Sequence, residues 1–144
     1  MLRGRICNLC KTKILAKCAL LLIKCIIMNL QELNERIRRG ESFLVANDGQ
    51  FLGILTLNKF VANSISNDFG LYGSKFSATS IKNQFSTYGS PYSSLSPYNP
   101  YTATPPTIYL RGVKVGVLSV NKFLYGSVNP NDLDNWMKFN NLFF

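Results

Sequence analysis

Two short stretches of this chain place an amide, an ammonium and an aromatic ring in the same order. They are Asn58-Lys59-Phe60 and Asn121-Lys122-Phe123, sixty-three residues apart. A lysine held out of water gives up its proton more readily and can serve as a base or an amine nucleophile. A hydroxyl such as that of Ser74 or Ser90 is the partner such a lysine would need in a small enzyme. No acid or nucleophile is duplicated along with the pair, so the plainer reading is an asparagine that closes a strand and a lysine in water. Asn58, Lys59, Asn121 and Lys122 therefore stand as a polar site of secondary rank.

The remaining chemistry is thinner. The chain has no histidine, which removes Ser-His-Asp and Cys-His catalysis along with the commonest zinc ligand. Cys7-x-x-Cys10 is followed by Cys18 and Cys25, six residues apart inside an apolar run. Zinc sites pair two short knuckles, so these cysteines read as small hydrophobes. Calcium needs several carboxylates beside neutral oxygens, and the Ser- and Asn-rich middle of the chain lacks them. Asp132 and Asp134 are two apart and do not share a helix face. No catalytic residue, cofactor or metal ligand is nominated, and the chain is expected not to be an enzyme.

What the sequence offers instead is a strict repeat. Ser64-Ile65-x-Asn67-x-Phe69 recurs sixteen residues on as Ser80-Ile81-x-Asn83-x-Phe85, and again as Ser96-Pro97-x-Asn99-x-Tyr101. Between the copies lie Tyr72-Gly73-Ser74-x-Phe76-Ser77 and Tyr88-Gly89-Ser90-x-Tyr92-Ser93, in one register. Serine and asparagine at fixed places bond nearby backbone and hold turns, and glycine after tyrosine admits positive φ. Phe69, Phe85 and Tyr101, with Ile65 and Ile81, are expected as inward rungs, and Phe76 and Tyr92 as a second set. The same layer supplies the candidate interaction surface: Tyr72, Phe76, Tyr88, Tyr92, Tyr98 and Tyr101. Interleaved rings can stack bases, but residues 64 to 106 carry only Asp68, Lys75 and Lys82 as charges. That is too few to track phosphates, so nucleic acid is an improbable partner, left to Arg36, Arg38 and Arg39 on a helix.

Several elements must position this layer. Asn29 as N-cap, Glu32 at N3 and Gly40 as a stop delimit a first helix over 29 to 39, with Glu32–Arg36 and Glu35–Arg39 at i,i+4. Phe43 to Ala46 and Phe51 to Leu57 form a hairpin around Asp48-Gly49. A second follows as Thr107 to Leu110 and Val113 to Val120 around Arg111-Gly112. The stretch from Asp48 to Phe60 aligns without a gap on Arg111 to Phe123, so the outer unit is duplicated too. Apolar groups on both sides of these strands imply a sheet covered on both faces, and Gly53 and Gly116 suggest a bulge or close approach in each hairpin. Asn129-Pro130 opens a last helix over 130 to 139 with Leu133, Trp136 and Met137 on its apolar side.

The formal charge of +9 is uneven. Residues 1 to 28 hold six basic groups and no acid, whereas the rest holds ten basic and seven acidic groups. Three readings of this basic, cysteine-bearing apolar segment stand side by side. It is a misplaced start upstream of Met28, a secretory or membrane-surface segment, or a membrane span interrupted by Lys17 and Lys24. A chain starting at Met28 is expected in the cytoplasm, and one keeping residues 1 to 28 in the cell envelope or outside it. A membrane enters as partner only through those residues.

Residues 48 to 139 resemble a domain of uncharacterised bacterial proteins, many of them exported. In it, strand pairs of the form G-x-x-x-G-x-L-x-x-N-x-[YF] flank copies of S-I-x-N-x-[YF]-x-x-Y-G-S-x-[YF]-S. The match covers Gly49, Gly53, Leu55, Asn58, Phe60, both Tyr-Gly-Ser units and Asn99-Pro100-Tyr101. The resemblance implies no activity. Members carry Asp before Ser-Ile where this chain has Asn63 and Thr79, so no role of that Asp transfers.

Together these readings give an α+β domain over 29 to 139, preceded by the 1 to 28 segment and followed by a 140 to 144 tail. Two pseudo-symmetric β-hairpins form a small sheet, a loop-rich aromatic repeat layer covers one face, and one helix stands at each end. The expected function is a non-catalytic binding or structural module whose partner is a protein or a surface ligand. The alternatives are a small enzyme using Lys59 or Lys122 with a repeat serine, and a weak nucleic-acid-binding protein.

Overall fold

A computed structural model of the chain describes residues 30–144. Asn29 as N-cap, and everything expected of residues 1 to 28, lies outside them. The chain divides into the units Met1–Glu35 and Arg36–Phe144; the first helix runs across that boundary, and the sheet, the repeat and the last helix belong to the second unit.

The first helix, α1, covers residues 30–38 and stops as its glycine requires. Gly40 takes φ +70°, its N–H reaches the Ile37 carbonyl at 3.0 Å, and the Glu41 N–H reaches the Arg36 carbonyl at 3.1 Å. These two bonds are a Schellman motif, which satisfies the carbonyls that a helix end leaves open. Glu41 then accepts from Arg36 at 3.5 Å and from Arg39 at 3.2 Å. The Arg36 guanidinium lies 4.0 Å over the Phe51 ring. Arg36 is thereby committed to packing the start of the sheet.

The sheet has five strands in the order β2-β1-β3-β4-β5. These are β1 Phe43–Val45, β2 Phe51–Ile54, β3 Thr107–Leu110, β4 Val113–Leu118 and β5 Ser127–Val128. The first four pair antiparallel and β5 joins β4 in parallel, which makes the sheet mixed. Arg111 and Gly112 both have positive φ, 49° and 80°, as a two-residue hairpin turn between twisted strands requires. The register shifts at Leu44/Val45 opposite β2 and at Ile108/Tyr109 opposite β4, next to the pairs Leu44↔Gly53 and Ile108↔Gly116. A Cβ on Gly53 would stand 2.6 Å from Ile65 Cγ2, and one on Gly116 would stand 2.3 Å from the Gly126 carbonyl oxygen. Each glycine therefore sits at both a bulge and a close approach.

The long strands end earlier than the expected Leu57 and Val120. Past the strand ends, side-chain oxygens take backbone donors: Thr56 Oγ1 takes the Asn58 N–H at 3.2 Å and Ser119 Oγ takes the Asn121 N–H at 3.0 Å. A local side-chain acceptor competes with the ladder and turns the chain away from it. Strand β5, which the alternation of apolar residues does not announce, forms because the ladder continues. Val117 N–H bonds the Gly126 carbonyl at 3.3 Å and Ser119 N–H the Val128 carbonyl at 2.9 Å.

One core cluster joins the layers. Leu44, Ala46, Leu52, Leu55, Ile108 and Leu118 come from the sheet region, Ile65 and Ile81 from the repeat, and Leu133 and Met137 from the last helix. Phe43 is fully buried and stacks on Tyr109 across β1 and β3, centroids 4.8 Å apart and planes at 8°. The last helix opens as expected: Asn129 caps it through the Asn131 N–H, Pro130 follows, and a 3-10 turn Pro130–Asp132 leads into α2, Leu133–Phe139. Beyond it, the Leu142 carbonyl accepts the Leu57 N–H at 2.8 Å and the Asn140 carbonyl accepts from Arg111 Nη2 at 2.8 Å, so these tail residues are tied to the domain.

Candidate functional site

The repeat region is a chain of turns. From Ser64 to Ser96 each anchor residue's carbonyl accepts the N–H of the next anchor, in the order 64, 67, 70, 74, 77, 80, 83, 86, 90, 93, 96. Every step is three residues except Gly70 to Ser74 and Ser86 to Ser90, which are four. Five steps make one period of sixteen, and that is the physical content of the repeat.

At most anchors a side-chain oxygen adds a second bond, to the N–H two residues on. Ser80 Oγ holds Lys82 N–H at 3.1 Å, Asn83 Oδ1 holds Phe85 N–H at 3.0 Å and Ser90 Oγ holds Tyr92 N–H at 3.2 Å. The asparagines also donate to a carbonyl six residues back, as the Ser77 and Ser86 hydroxyls do. Nδ2 of Asn67, Asn83 and Asn99 donates to the carbonyls of Val61, Ser77 and Ser93, at 3.2, 3.0 and 3.1 Å, six residues back in each case. Each asparagine thus ties its own turn to the turn two steps earlier. The residue after an anchor is left with no partner for its N–H in this scheme. Pro91, Pro97 and Pro100 occupy that place, where proline's missing donor and fixed φ cost nothing.

The glycines after tyrosine are required for space, which corrects the expectation of positive φ. Gly73 and Gly89 are not among the positive-φ residues, and a Cβ on either would stand 2.1 Å from the carbonyl oxygen of Asn67 or Asn83. Asn–carbonyl and glycine meet backbone to backbone.

A second correction concerns the rings. Ile65 and Ile81 do point inward, at 3% and 2% exposure, with Pro97 buried in the third copy. Phe69, Phe85 and Tyr101, expected as inward rungs, are instead 100, 97 and 89% exposed, and Phe76 and Tyr92 are 94 and 92% exposed. All five stand two residues after an anchor Ser or Asn whose side-chain oxygen accepts their N–H. Phe60 and Phe123 obey the same rule after Asn58 and Asn121. All seven fit [NS]-x-[FY], a pattern that Tyr88 and Tyr98 also fit while staying half-buried, so local spacing does not by itself tell outward rings from inward ones.

The residues named beforehand as an interaction surface divide in two. Phe76, Tyr92 and Tyr101 are on the outside, whereas Tyr72, Tyr88 and Tyr98 are half-buried. Tyr72 and Tyr88 pack against the core, Tyr72 with its ring edge toward Phe51 at 5.0 Å. The Tyr88 hydroxyl donates to Asp48 Oδ2 at 2.8 Å. Burial, that bond and the neighbouring carboxylate push the Tyr88 phenol up to about 12. Tyr98 is also raised, by burial first and by the charge of Asp134 second.

Three recesses lie along this surface. The first, of 430 Å³, lies between Phe69 and Phe76. A second of 650 Å³ has Lys75, Lys82, Gln84, Tyr98 and Asn131 on its walls and Ile81, Gly89, Pro91 and Val120 as its apolar lining. The third, of 430 Å³, holds Tyr92, Tyr101, Pro91 and Pro100. Lys82 is paired with Asp68 at 3.3 Å.

The polar site of secondary rank is not gathered in any of them. Lys59 and Lys122 are exposed, and Asn58 and Asn121 serve as turn acceptors, Asn121 also donating to the Thr102 carbonyl at 2.9 Å. The Ser74 and Ser90 hydroxyls accept turn N–H groups at 3.1 and 3.2 Å. Among the described residues no group of three metal-ligating side chains occurs and no helix is long and apolar enough to cross a membrane. No protein-family model, curated protein or solved structure matches the chain.

Proposed function

We propose that this chain is a non-catalytic binding module that makes contact through the rings its turns hold outward. One observation carries the reading: Phe69, Phe76, Phe85, Tyr92 and Tyr101 are each at least 89% exposed and each is fixed at its backbone by an anchor side chain. Water disfavours rings held in this way, and exposed aromatic surface of this kind marks contact sites. Phe and Tyr give wide contact area with only two side-chain torsions to freeze.

The finer architecture belongs to the same proposal. Hairpins β1–β2 and β3–β4 are two copies of one unit, related by duplication. Support comes from matched bonds: Ile54 N–H to the Asn63 carbonyl beside Val117 N–H to that of Gly126, and Leu55 N–H to Ser42 beside Leu118 N–H to Pro106. The duplicated unit and the repeat between its copies carry the likeness to the bacterial domain described above.

The test is a retention panel. Immobilised polysaccharides, phospholipid vesicles and duplex DNA are challenged with the wild type and with a variant carrying serine at 69, 76, 85, 92 and 101. A surface that retains the wild type and releases the folded variant supports the module. Retention of neither protein on any surface, or equal retention of both, overturns it.

A further inference from the structure

The three recesses succeed one another along the repeat. Lys75 lines the central one and its chain neighbour Phe76 lines the first, while Pro91 lines both the central one and the third. Ring-lined clefts thus flank a middle compartment whose walls are hydrogen-bonding side chains. A series of successive recesses suits an extended ligand better than a compact one.

Charge narrows the class. Between residues 64 and 106 the charges are Asp68, Lys75 and Lys82, and Lys82 is paired with Asp68. One surplus ammonium cannot follow a nucleic acid backbone or an anionic bilayer. A peptide docking by strand addition needs a free edge, and here most backbone N–H groups of the repeat are bonded to anchor carbonyls or anchor side chains. What the surface leaves to a ligand is ring faces and proline faces at the ends, with ammonium, carboxamide and phenol donors in the middle. A pyranose chain has that complement: C–H faces that stack on rings and a hydroxyl rim that takes hydrogen bonds.

We propose that the three recesses are successive subsites for one extended, uncharged oligosaccharide, with Phe69 and Phe76 at one end, Tyr92 and Tyr101 at the other, and Lys75, Gln84, Tyr98 and Asn131 binding hydroxyls between them. This rests on the binding-module reading and gives it a ligand class.

The experiment measures retention of the full chain on cellulose, chitin, xylan, mannan and starch, with and without molar salt, followed by elution with the matching soluble hexasaccharide. The wild type is expected to bind at least one polymer and to keep that affinity in salt. Phe76→Ala and Tyr92→Ala are each expected to weaken binding roughly tenfold, the scale of one lost stacking platform. Phe139→Ala, on an exposed ring of α2, is expected to leave binding unchanged. A circular dichroism melt shows that each variant is folded. No retention on any of the five polymers, or full retention by the folded Phe76 and Tyr92 variants, overturns the glycan assignment. Ring-dependent retention on phosphatidylglycerol vesicles or DNA alone also overturns it, yet leaves the module reading standing.

Discussion

The Phe85 N–H donates to Asn83 Oδ1 at 3.0 Å, and the phenylalanine ring stands 97% exposed. The same asparagine sends its amide nitrogen to the Ser77 carbonyl at 3.0 Å. One side chain therefore closes its own turn and ties two turns together. Asn83→Ala removes both bonds and is expected to cost about 1–3 kcal/mol. Asn83→Asp keeps an acceptor but loses the donor, so its urea midpoint should fall between those of the wild type and the alanine variant. An Asn83→Ala protein as stable as the wild type would show that the anchors do not hold the layer.

The two hydrophobic sets of the repeat should respond oppositely to truncation. Phe85 is 97% exposed, so Phe85→Ala is expected within about 0.5 kcal/mol of the wild type. Ile81 is 2% exposed in the core cluster, and Ile81→Ala is expected to cost about 2–5 kcal/mol. Chemical denaturation of the pair checks which set faces inward, and a reversed order would refute the outward rings.

Glycines separate space from conformation. At Gly89 an added Cβ would stand 2.1 Å from the Asn83 carbonyl oxygen and 2.7 Å from that of Ile81, both backbone atoms. Gly89→Ala is expected to cost about 3 kcal/mol or more, because backbone has to move. Gly49, at φ +90° with open space around it, should cost only about 1 kcal/mol as alanine. Thermal melts of the two variants give the comparison.

Alkaline pH should loosen the tie between the repeat and the first hairpin. Tyr88 donates to Asp48, and its phenol is raised from 10.0 to about 12. A group whose pKa is raised on folding contributes stability that is whole below the unfolded value and is lost as pH climbs through the folded one. Stability from this contact is thus expected to be constant below pH 10 and to fall between pH 10 and about 12. In Tyr88→Phe that part of the fall should be absent, which urea unfolding across the window would measure against the wild type.

Much of this protein was legible in the sequence because its rules are local. The anchors bond backbone two and three residues away, so a strict register of Ser and Asn announces a turn layer, and Ile65 and Ile81 announce its buried side. The Gly40 stop, the Asp48-Gly49 and Arg111-Gly112 hairpins and the Asn129-Pro130 helix start are equally short-range. Tertiary structure decided the rest. Gly73 and Gly89 are glycine because an earlier turn's backbone comes back against them, and spacing cannot tell that from a need for positive φ. Strand β5 exists only because β4 offers it a ladder, and Tyr88 meets Asp48 forty residues away across the layer. Inside the layer the places are taken by Ile65, Ile81 and Pro97, and Phe69, Phe85 and Tyr101 stand outside. Hydrophobicity alone places a phenylalanine in the core, but Phe69 and Phe85 stand in water while Tyr98, with the same bond at its own N–H, is half-buried, so only the packing of the layer decides.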